Sequence, residues 1–465
     1  MPRSFFGKYR LFMTSPDGLE VGSETARPHH PLTLPRDQHA IDVSLVDDAA
    51  LSVVRGLRDG GFAAYLVGGC VRDMLLGLAP KDFDVATDAT PEDVQRVFRR
   101  ARLVGRRFRI AHVRFGREII EVSTFRRQVD DDDVVEDHSR RELRDRDSAR
   151  SSEGMILRDN VWGTIDDDAF RRDFSVNALY YDPVDEVLID YVGGLADLRS
   201  RRLRLIGDAK IRLREDPVRI LRAIRFASKL DFAIDPEIDA AIPGAAYLIS
   251  AVAPARLFDE ICKLFLDGHA VGAWRLMHRY ALADVLFPDH DTSAHSVEFI
   301  DNAMRGTDER VRQDKPVTAG FLIAVLLWDA YRERLARLAE TMPLVDAREA
   351  ASQEVLRDQN DIAAVPRRFA QFIRETWLLQ PRLESRQGKD IEKLLSHPRF
   401  RAAYDFLVLR ATVGDIDEET ANWWTAYQAA PAEERQALRS ALGPQSGKRR
   451  RRRRRRGGAS APAQP

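Results

Sequence analysis

Between Ala63 and Thr87 the chain reads AAYLVGGCVRDMLLGLAPKDFDVAT, and this stretch constrains the fold more than any other. Ala63 to Val67 is a short apolar run of buried-strand type, and Gly68-Gly69 ends it. Residues 70 to 77 follow helical periodicity, and Lys81 to Thr87 reads as a second strand. Side chains two apart on a strand share a face, so Asp82 and Asp84 are expected to present paired carboxylates while Phe83 faces the opposite layer. Paired carboxylates suit Mg²⁺, a hard ion that prefers oxygen ligands and leaves room for phosphate oxygens. The glycine turn at a helix start brings backbone N–H groups to such phosphates, which assigns Gly68 and Gly69 to nucleotide binding. The unit therefore has the parts for handling a nucleotide.

With Arg72-Asp73 just past the glycines, the stretch resembles the nucleotidyltransferase superfamily of DNA polymerase beta. It is most similar to the branch holding bacterial poly(A) polymerases and CCA-adding enzymes, whose signature is G-G-x-V-R-D followed by D-x-D. The resemblance places Arg72 and Asp73 with the nucleotide and makes Asp82 and Asp84 the catalytic and metal-holding pair. It implies two Mg²⁺ ions and ATP as substrate.

Further motifs follow in family order. Residues 102 to 116, RLVGRRFRIAHVRFG, look like the segment that separates poly(A) polymerases from CCA-adding enzymes, matching at Gly105, Arg106, Arg107, Phe108, Ala111 and His112. By itself the segment is also an amphipathic hairpin with a basic outer face. In DDDAFRRDFSVNALYY, Arg172, Asp173 and Asn177 match R-R-D-F-x-x-N-A-L. That motif implies Asp173 in the catalytic group, and Arg172 and Asn177 on the triphosphate and ribose. A guanidinium suits phosphate because its planar fork makes bidentate charged hydrogen bonds. Glu121, in EIIEVSTFR, is the alternative third acid, or else a surface ion-pair partner; Asp173 has the bland alternative of orienting Arg172. In REDPVRILRAIRF, Asp216, Arg219 and Arg222 are three apart and are expected on one helix face, with Val218, Ile220, Leu221 and Ile224 mostly turned away. The match to E-D-x-x-R-x-x-R at Glu215, Asp216, Arg219 and Arg222 implies base recognition without a template.

The predicted fold class is α+β: a small mixed-sheet nucleotidyltransferase head, then an all-α neck and body, then a disordered basic tail. Residues 1–40 read as a loose extension, 41–196 as the catalytic head, 197–270 as the neck for base recognition and RNA binding, 271–442 as the helical body and 443–465 as the tail. Val129 to Ser152, dense in charge and serine, is expected to be a mobile surface loop. Beyond Asp197 helices are expected without strands, among them Asp216 to Leu230, Ala255 to Leu266, Phe321 to Leu338, Phe369 to Trp377, Ile391 to Leu395 and Phe400 to Thr412.

A formal net charge of zero hides an asymmetry. Lys448 to Arg456 is an unbroken basic run of nine, so acidic residues outnumber basic ones by nine in the remainder. Such a tail suits capture of an RNA backbone. Only Cys70 and Cys262 occur, with no C-x-x-C, and no apolar run reaches membrane-spanning length. The expected setting is cytoplasmic and the expected partners are RNA 3′ ends, ATP and RNA-decay proteins. Absence of P-loop, dinucleotide and H-E-x-x-H patterns removes three rival chemistries. The function read from these features is template-independent addition of AMP to RNA 3′ ends. The alternatives are a CCA-adding tRNA nucleotidyltransferase and a catalytically silent RNA-binding protein.

Overall fold

The computed structural model describes residues 30–105, 109–127, 148–150, 155–288, 290–386 and 391–442, and the chain divides into two compact units at Glu215/Asp216. Strands β1 (Leu32–Leu34), β2 (Ala64–Val67), β3 (Asp84–Thr87), β4 (Arg102–Val104), β5 (Ile110–Phe115) and β6 (Glu118–Thr124) belong to the first unit. They are followed by β7 (Ser148–Arg150), β8 (Ile156–Asp159), β9 (Leu179–Asp182) and β10 (Val187–Asp190). Eight of these make one mixed sheet, in the order β1-β10-β9-β2-β3-β6-β5-β4, in which β3 and β6 run parallel.

Local chemistry explains the helices of this unit. In α1 (Asp48–Asp59) the Asp47 carboxylate accepts from the backbone N–H groups of Ala49 and Ala50, and Ala49, Ala50, Val53, Val54 and Leu57 form the buried stripe. The next helices are α2 (Gly69–Leu75), α3 (Pro91–Val97), α4 (Ile165–Arg171), α5 (Gly194–Arg199) and α6 (Ala209–Glu215). Thr90 and Asp93 close a capping box on α3 with Pro91 at its first position, and Thr164 and Asp167 close another on α4. Val67 and Ala86 pack with Tyr180, Phe125 and Ala169 of α4 in one core cluster. Period-2 alternation puts Asp84 on the same face as Ala86, so the acid lies on the α4 side of the sheet.

The second unit contains α7 (Val218–Leu230), α8 (Pro236–Ala241) and α9 (Pro254–Phe265). Longer helices follow, including Ala294–Arg312, Leu344–Ile362, Arg367–Ser385, Phe400–Thr412 and Glu418–Ala429. In its core, the fully buried indole of Trp377 donates to the Ala324 carbonyl at 3.1 Å and that of Trp424 to the Leu383 carbonyl at 2.8 Å. Trp424 is therefore packing, not a base-stacking platform.

Several expectations are corrected. Residues 32–34, read as part of a loose extension, are an edge strand paired antiparallel with β10, because tertiary pairing recruits a segment too short to show periodicity. The Lys81–Thr87 strand begins only at Asp84, so Asp82 precedes it. Within the expected 129–152 loop, Ser148–Arg150 pairs with β8; residues 129–147, with the Asp130 to Asp133 run, lie outside the described residues. Two-residue strands occur at Arg202–Leu203 and Ala233–Ile234, where none were expected. The 321–338 helix is two helices, Ala319–Leu326 and Trp328–Ala339, parted at Leu327. The 369–377 helix extends to Ser385, because its buried face continues through polar Thr376 and Gln380, which interrupt the apolar pattern. Arg106, Arg107, Phe108 and the basic tail also lie outside the described residues.

Candidate active site

The site begins at the end of β2. Gly68 has φ 82° and ψ −131°, a conformation that L side chains rarely adopt, and this turns the chain from the strand into α2. A Cβ added there would lie 3.9 Å from Arg172 Nη1 and from the Asn177 carbonyl oxygen, and 4.0 Å from Asp84 Oδ2. The glycine turn, the first residue of β3 and the end of α4 thus converge at one point.

Asp84 occupies the middle of the sheet, opposite Val67 on one side and Glu121 on the other. Its carboxyl stays open to solvent at the floor of this convergence, yet enough protein surrounds it to matter electrostatically. Desolvation pushes its pKa up to about 6, the neighbouring charges of Glu121 and Asp82 push the same way, and Arg172 opposes them. Glu121 and Asp82 are thus the acids whose charges act on Asp84. The partner of Glu121 across the hairpin is His112, whose Nε2 lies 3.3 Å from Glu121 Oε1. The Asp173 carboxylate instead accepts from the backbone N–H of Phe174 at 2.7 Å and from Asn177 Nδ2 at 3.5 Å, which orders the turn that follows.

Arg172 is aimed by a residue the motifs did not single out. Asp168 is buried in α4, and its Oδ2 accepts from Arg172 Nε (3.0 Å), Arg172 Nη2 (2.8 Å) and Tyr180 Oη (2.8 Å), while Oδ1 accepts from Arg171 Nε at 3.2 Å. Burial would raise the Asp168 carboxyl, but Arg172, Arg171 and Tyr180 hold it down at about 2. The clue in the sequence was the i, i+4 spacing of Asp168 and Arg172, hidden in an acidic run. Arg212 supports the same corner: it pairs with buried Glu215 at 2.7 Å and donates to the carbonyls of Arg171 and Arg172. Glu215, matched to the base-recognition motif, serves here as the anchor of Arg212.

Arg72, Asp73 and Asn177 form a supporting network under the glycine turn. Arg72 donates from Nε and Nη2 to Asp73 Oδ1 at 2.8 and 2.6 Å, and from Nη1 to Asn177 Oδ1 at 2.6 Å. The segment carrying Asn177 is held tightly by α5, for a Cβ at Gly194 would fall 2.1 Å from the Ser175 carbonyl oxygen.

In the second unit, Asp216 precedes α7 instead of lying on it, and α7 is buried nearly all round, Arg219 included. Of the single helix face expected for Asp216, Arg219 and Arg222, the two arginines lie three apart on α7 and Asp216 falls just before it. Arg256 on α9 grips Asp216 with two bonds, Nη1 to Oδ1 at 2.6 Å and Nη2 to Oδ2 at 2.7 Å, and so fixes the plane of its carboxylate.

The donor set around Asp84 fits Mg²⁺. Three acids crowd one another, which a divalent cation would relieve, and all offer oxygen. No cluster of three or more ligating side chains is assembled as a metal cage among the described residues.

Comparison with known proteins gives three family matches: "Poly A polymerase head domain" over residues 64–204, "Probable RNA and SrmB- binding site of polymerase A" over 231–293, and "Polymerase A arginine-rich C-terminus" over 340–457. The chain is 43% identical over 435 residues to Poly(A) polymerase I of Salmonella typhi, covering 91% of each, and 45% identical to that of Haemophilus influenzae, covering 84% and 86%. A CCA-adding enzyme of Lactobacillus johnsonii is 34% identical over 46% of this chain and 49% of its own. Among solved structures, "The structure of CCA-adding enzyme apo form II" superposes with a TM-score of 0.58 at 20% identity, covering 90% and 92%, a likeness of fold.

Proposed function

Because the chain belongs to the poly(A) polymerase family, we infer that it is a polynucleotide adenylyltransferase, adding AMP from ATP to RNA 3′ ends without a template. The observation that carries this reading to chemistry is the convergence of Gly68, Asp84 and Arg172, with Glu121 in register beside Asp84. A silent RNA-binding scaffold would have no use for a buried carboxylate that holds Arg172 beside the glycine turn and Asp84.

In the reaction the RNA 3′-hydroxyl attacks the α-phosphorus of ATP and diphosphate leaves. Asp82 and Asp84, with Glu121 beside them, would hold Mg²⁺, two ions by the family resemblance, which would supply Lewis-acid stabilisation of the phosphate oxygens and a lowered pKa for the attacking hydroxyl. Asp84 takes part as the carboxylate; without metal, burial and the charges of Glu121 and Asp82 raise its pKa to about 6, which a bound cation would offset. Arg172, kept charged and oriented by Asp168, binds the triphosphate through its fork. The Gly68 turn lets the backbone approach the phosphates without a side chain in the way. Arg72 and Asp73 keep Asn177 in place for the ribose, and Asp173 fixes the turn that bears it, remaining the alternative third acid. Asp216, clamped by Arg256, accepts from the adenine amino group, and Arg219 and Arg222 supply donors for base choice.

Catalysis belongs to 41–196, base reading and RNA contact to 197–270, support to the body, and RNA capture to the basic tail. We place the protein in the cytoplasm with RNA-decay proteins as its protein partners; no helix among the described residues is long and apolar enough to cross a membrane. The test is to incubate the protein with a short RNA, Mg²⁺ and each nucleoside triphosphate separately and to size the products. ATP should give a ladder well beyond one residue, and CTP little. Two C additions followed by one A, then arrest, would establish the CCA-adding alternative.

A further inference from the structure

Four side chains lie in one register row across adjacent strands. Asp84 on β3 is opposite Glu121 on β6, Glu121 is opposite His112 on β5, and His112 is opposite Arg102 on β4. Directly opposed residues share a face, so the row runs from the reacting carboxylate to the sheet edge. Glu121 sits between the carboxylate and the imidazole. Its side chain is 52% exposed, and the like charge of Asp84 on one side favours swinging it away into water. What opposes that swing is the imidazole on the other side, with Nε2 3.3 Å from Oε1 and only 28% of its own side chain exposed.

We propose that His112 is a positioning residue that holds Glu121 in line beside Asp84, engaging Oε1 so that Oε2 stays turned toward the acid pair. This rests on reading Glu121 as the third acid. Ala111 and Val113, the neighbours of His112 on β5, are buried and fix the backbone that carries the imidazole. His112 also belongs to the 105–112 segment that resembles the poly(A) polymerase branch, and it brings that segment to Glu121. Groups that orient a metal-holding ligand typically contribute roughly 10–100-fold to metal affinity or activity. An imidazole acting through a half-exposed glutamate belongs at the lower end.

The experiment compares wild type, His112→Ala, His112→Gln and Glu121→Ala as full-length proteins. Two curves are recorded against MgCl₂: AMP incorporation into a short RNA at saturating ATP, and the rise in melting temperature of the ATP complex without RNA. His112→Ala should shift both half-saturation points upward by about 10-fold, leave the KM for RNA unchanged, and leave the metal-free melting temperature unchanged. His112→Gln, which keeps an N–H donor at a similar reach, should recover most of the shift. His112→Ala added to Glu121→Ala should produce no further shift, since the two act through one contact. If His112→Ala leaves both Mg²⁺ curves in place, or changes only the KM for RNA, the inference is overturned and the imidazole is a primer contact or an inert surface group. If Glu121→Ala itself leaves both curves in place, the reading of Glu121 as an acid of the site falls. If Glu121→Ala moves them and His112→Ala does not, only the role of His112 falls.

Discussion

Replacing Asp168 by Asn keeps the shape of a buried side chain and deletes the charge that two arginines share. In the native protein the carboxylate accepts from Arg172 twice, from Tyr180 and from Arg171, all within 3.2 Å. An asparagine keeps one acceptor oxygen and turns an NH₂ donor toward guanidinium donors, leaving charge uncompensated in a buried setting. Removing one partner of a buried ion pair costs about 3–5 kcal/mol. The Asp168 pKa of about 2 against an ordinary 3.8 corresponds to about 2–3 kcal/mol. At roughly 2–4 °C per kcal/mol for a unit of this size, the melting temperature should fall by about 5–15 °C. The sign of the pH dependence is set by the depressed pKa: the stabilisation is present above the unfolded value of 3.8 and is lost as pH falls through about 2. The gap between the two proteins should therefore be flat from pH 5.5 to 8. Calorimetric melting at pH 5.5 and 7.5, with ATP titration on the same samples, measures both effects. The variant should also need about tenfold more ATP, as Arg172 loses its orientation (about 1.4 kcal/mol). A melting temperature within about 2 °C of wild type together with an unchanged KM for ATP would refute the claim that Asp168 holds Arg172.

Asp82→Ala or Asp84→Ala should abolish nearly all incorporation with little change in RNA affinity, and a variant keeping a large share of activity would remove these acids from catalysis. The raised Asp84 pKa has the opposite sign to that of Asp168: its contribution favours the metal-free fold below pH 3.8 and is lost as pH rises through about 6. Denaturant melts from pH 4.5 to 8 without Mg²⁺ should show that decline in wild type and a weaker one in Asp84→Asn; identical slopes would contradict it. Asp216→Ala or Arg219→Ala should blur the preference for ATP over other triphosphates, with Arg222→Ala a more general loss; competition between triphosphates checks this, and unchanged nucleotide choice would reduce the segment to an ion-pair element. Deleting residues 447–465 should weaken RNA binding and flatten its salt dependence, given a slope near −0.7 per phosphate contact for single strands, while incorporation at saturating RNA survives; unchanged affinity and slope would move RNA capture elsewhere.

Sequence alone was sufficient wherever a side chain answers to its own neighbours. The Gly68 turn, the Thr90–Asp93 capping box and the apolar stripe of α1 depend on residues within a few positions, and each can be read from spacing. The pairing of His112 with Glu121 was also within reach, because a two-residue turn after Phe115 sets it opposite Glu118 and fixes the whole hairpin register. What the chain could not disclose was the parallel pairing of β3 with β6, which puts Glu121 beside Asp84. Nothing local fixes a parallel register: the two strands are joined by a long connection, and only packing of both sheet faces sets their offset. The same holds for Asp168 beneath Arg172 and Tyr180, and for Arg256 closing on Asp216 from another helix. Acids of one type were legible as chemistry. Which of them crowd together, which are neutralised by arginine and which merely order a turn was decided by tertiary structure, because like-charge crowding and desolvation exist only once distant segments share a face.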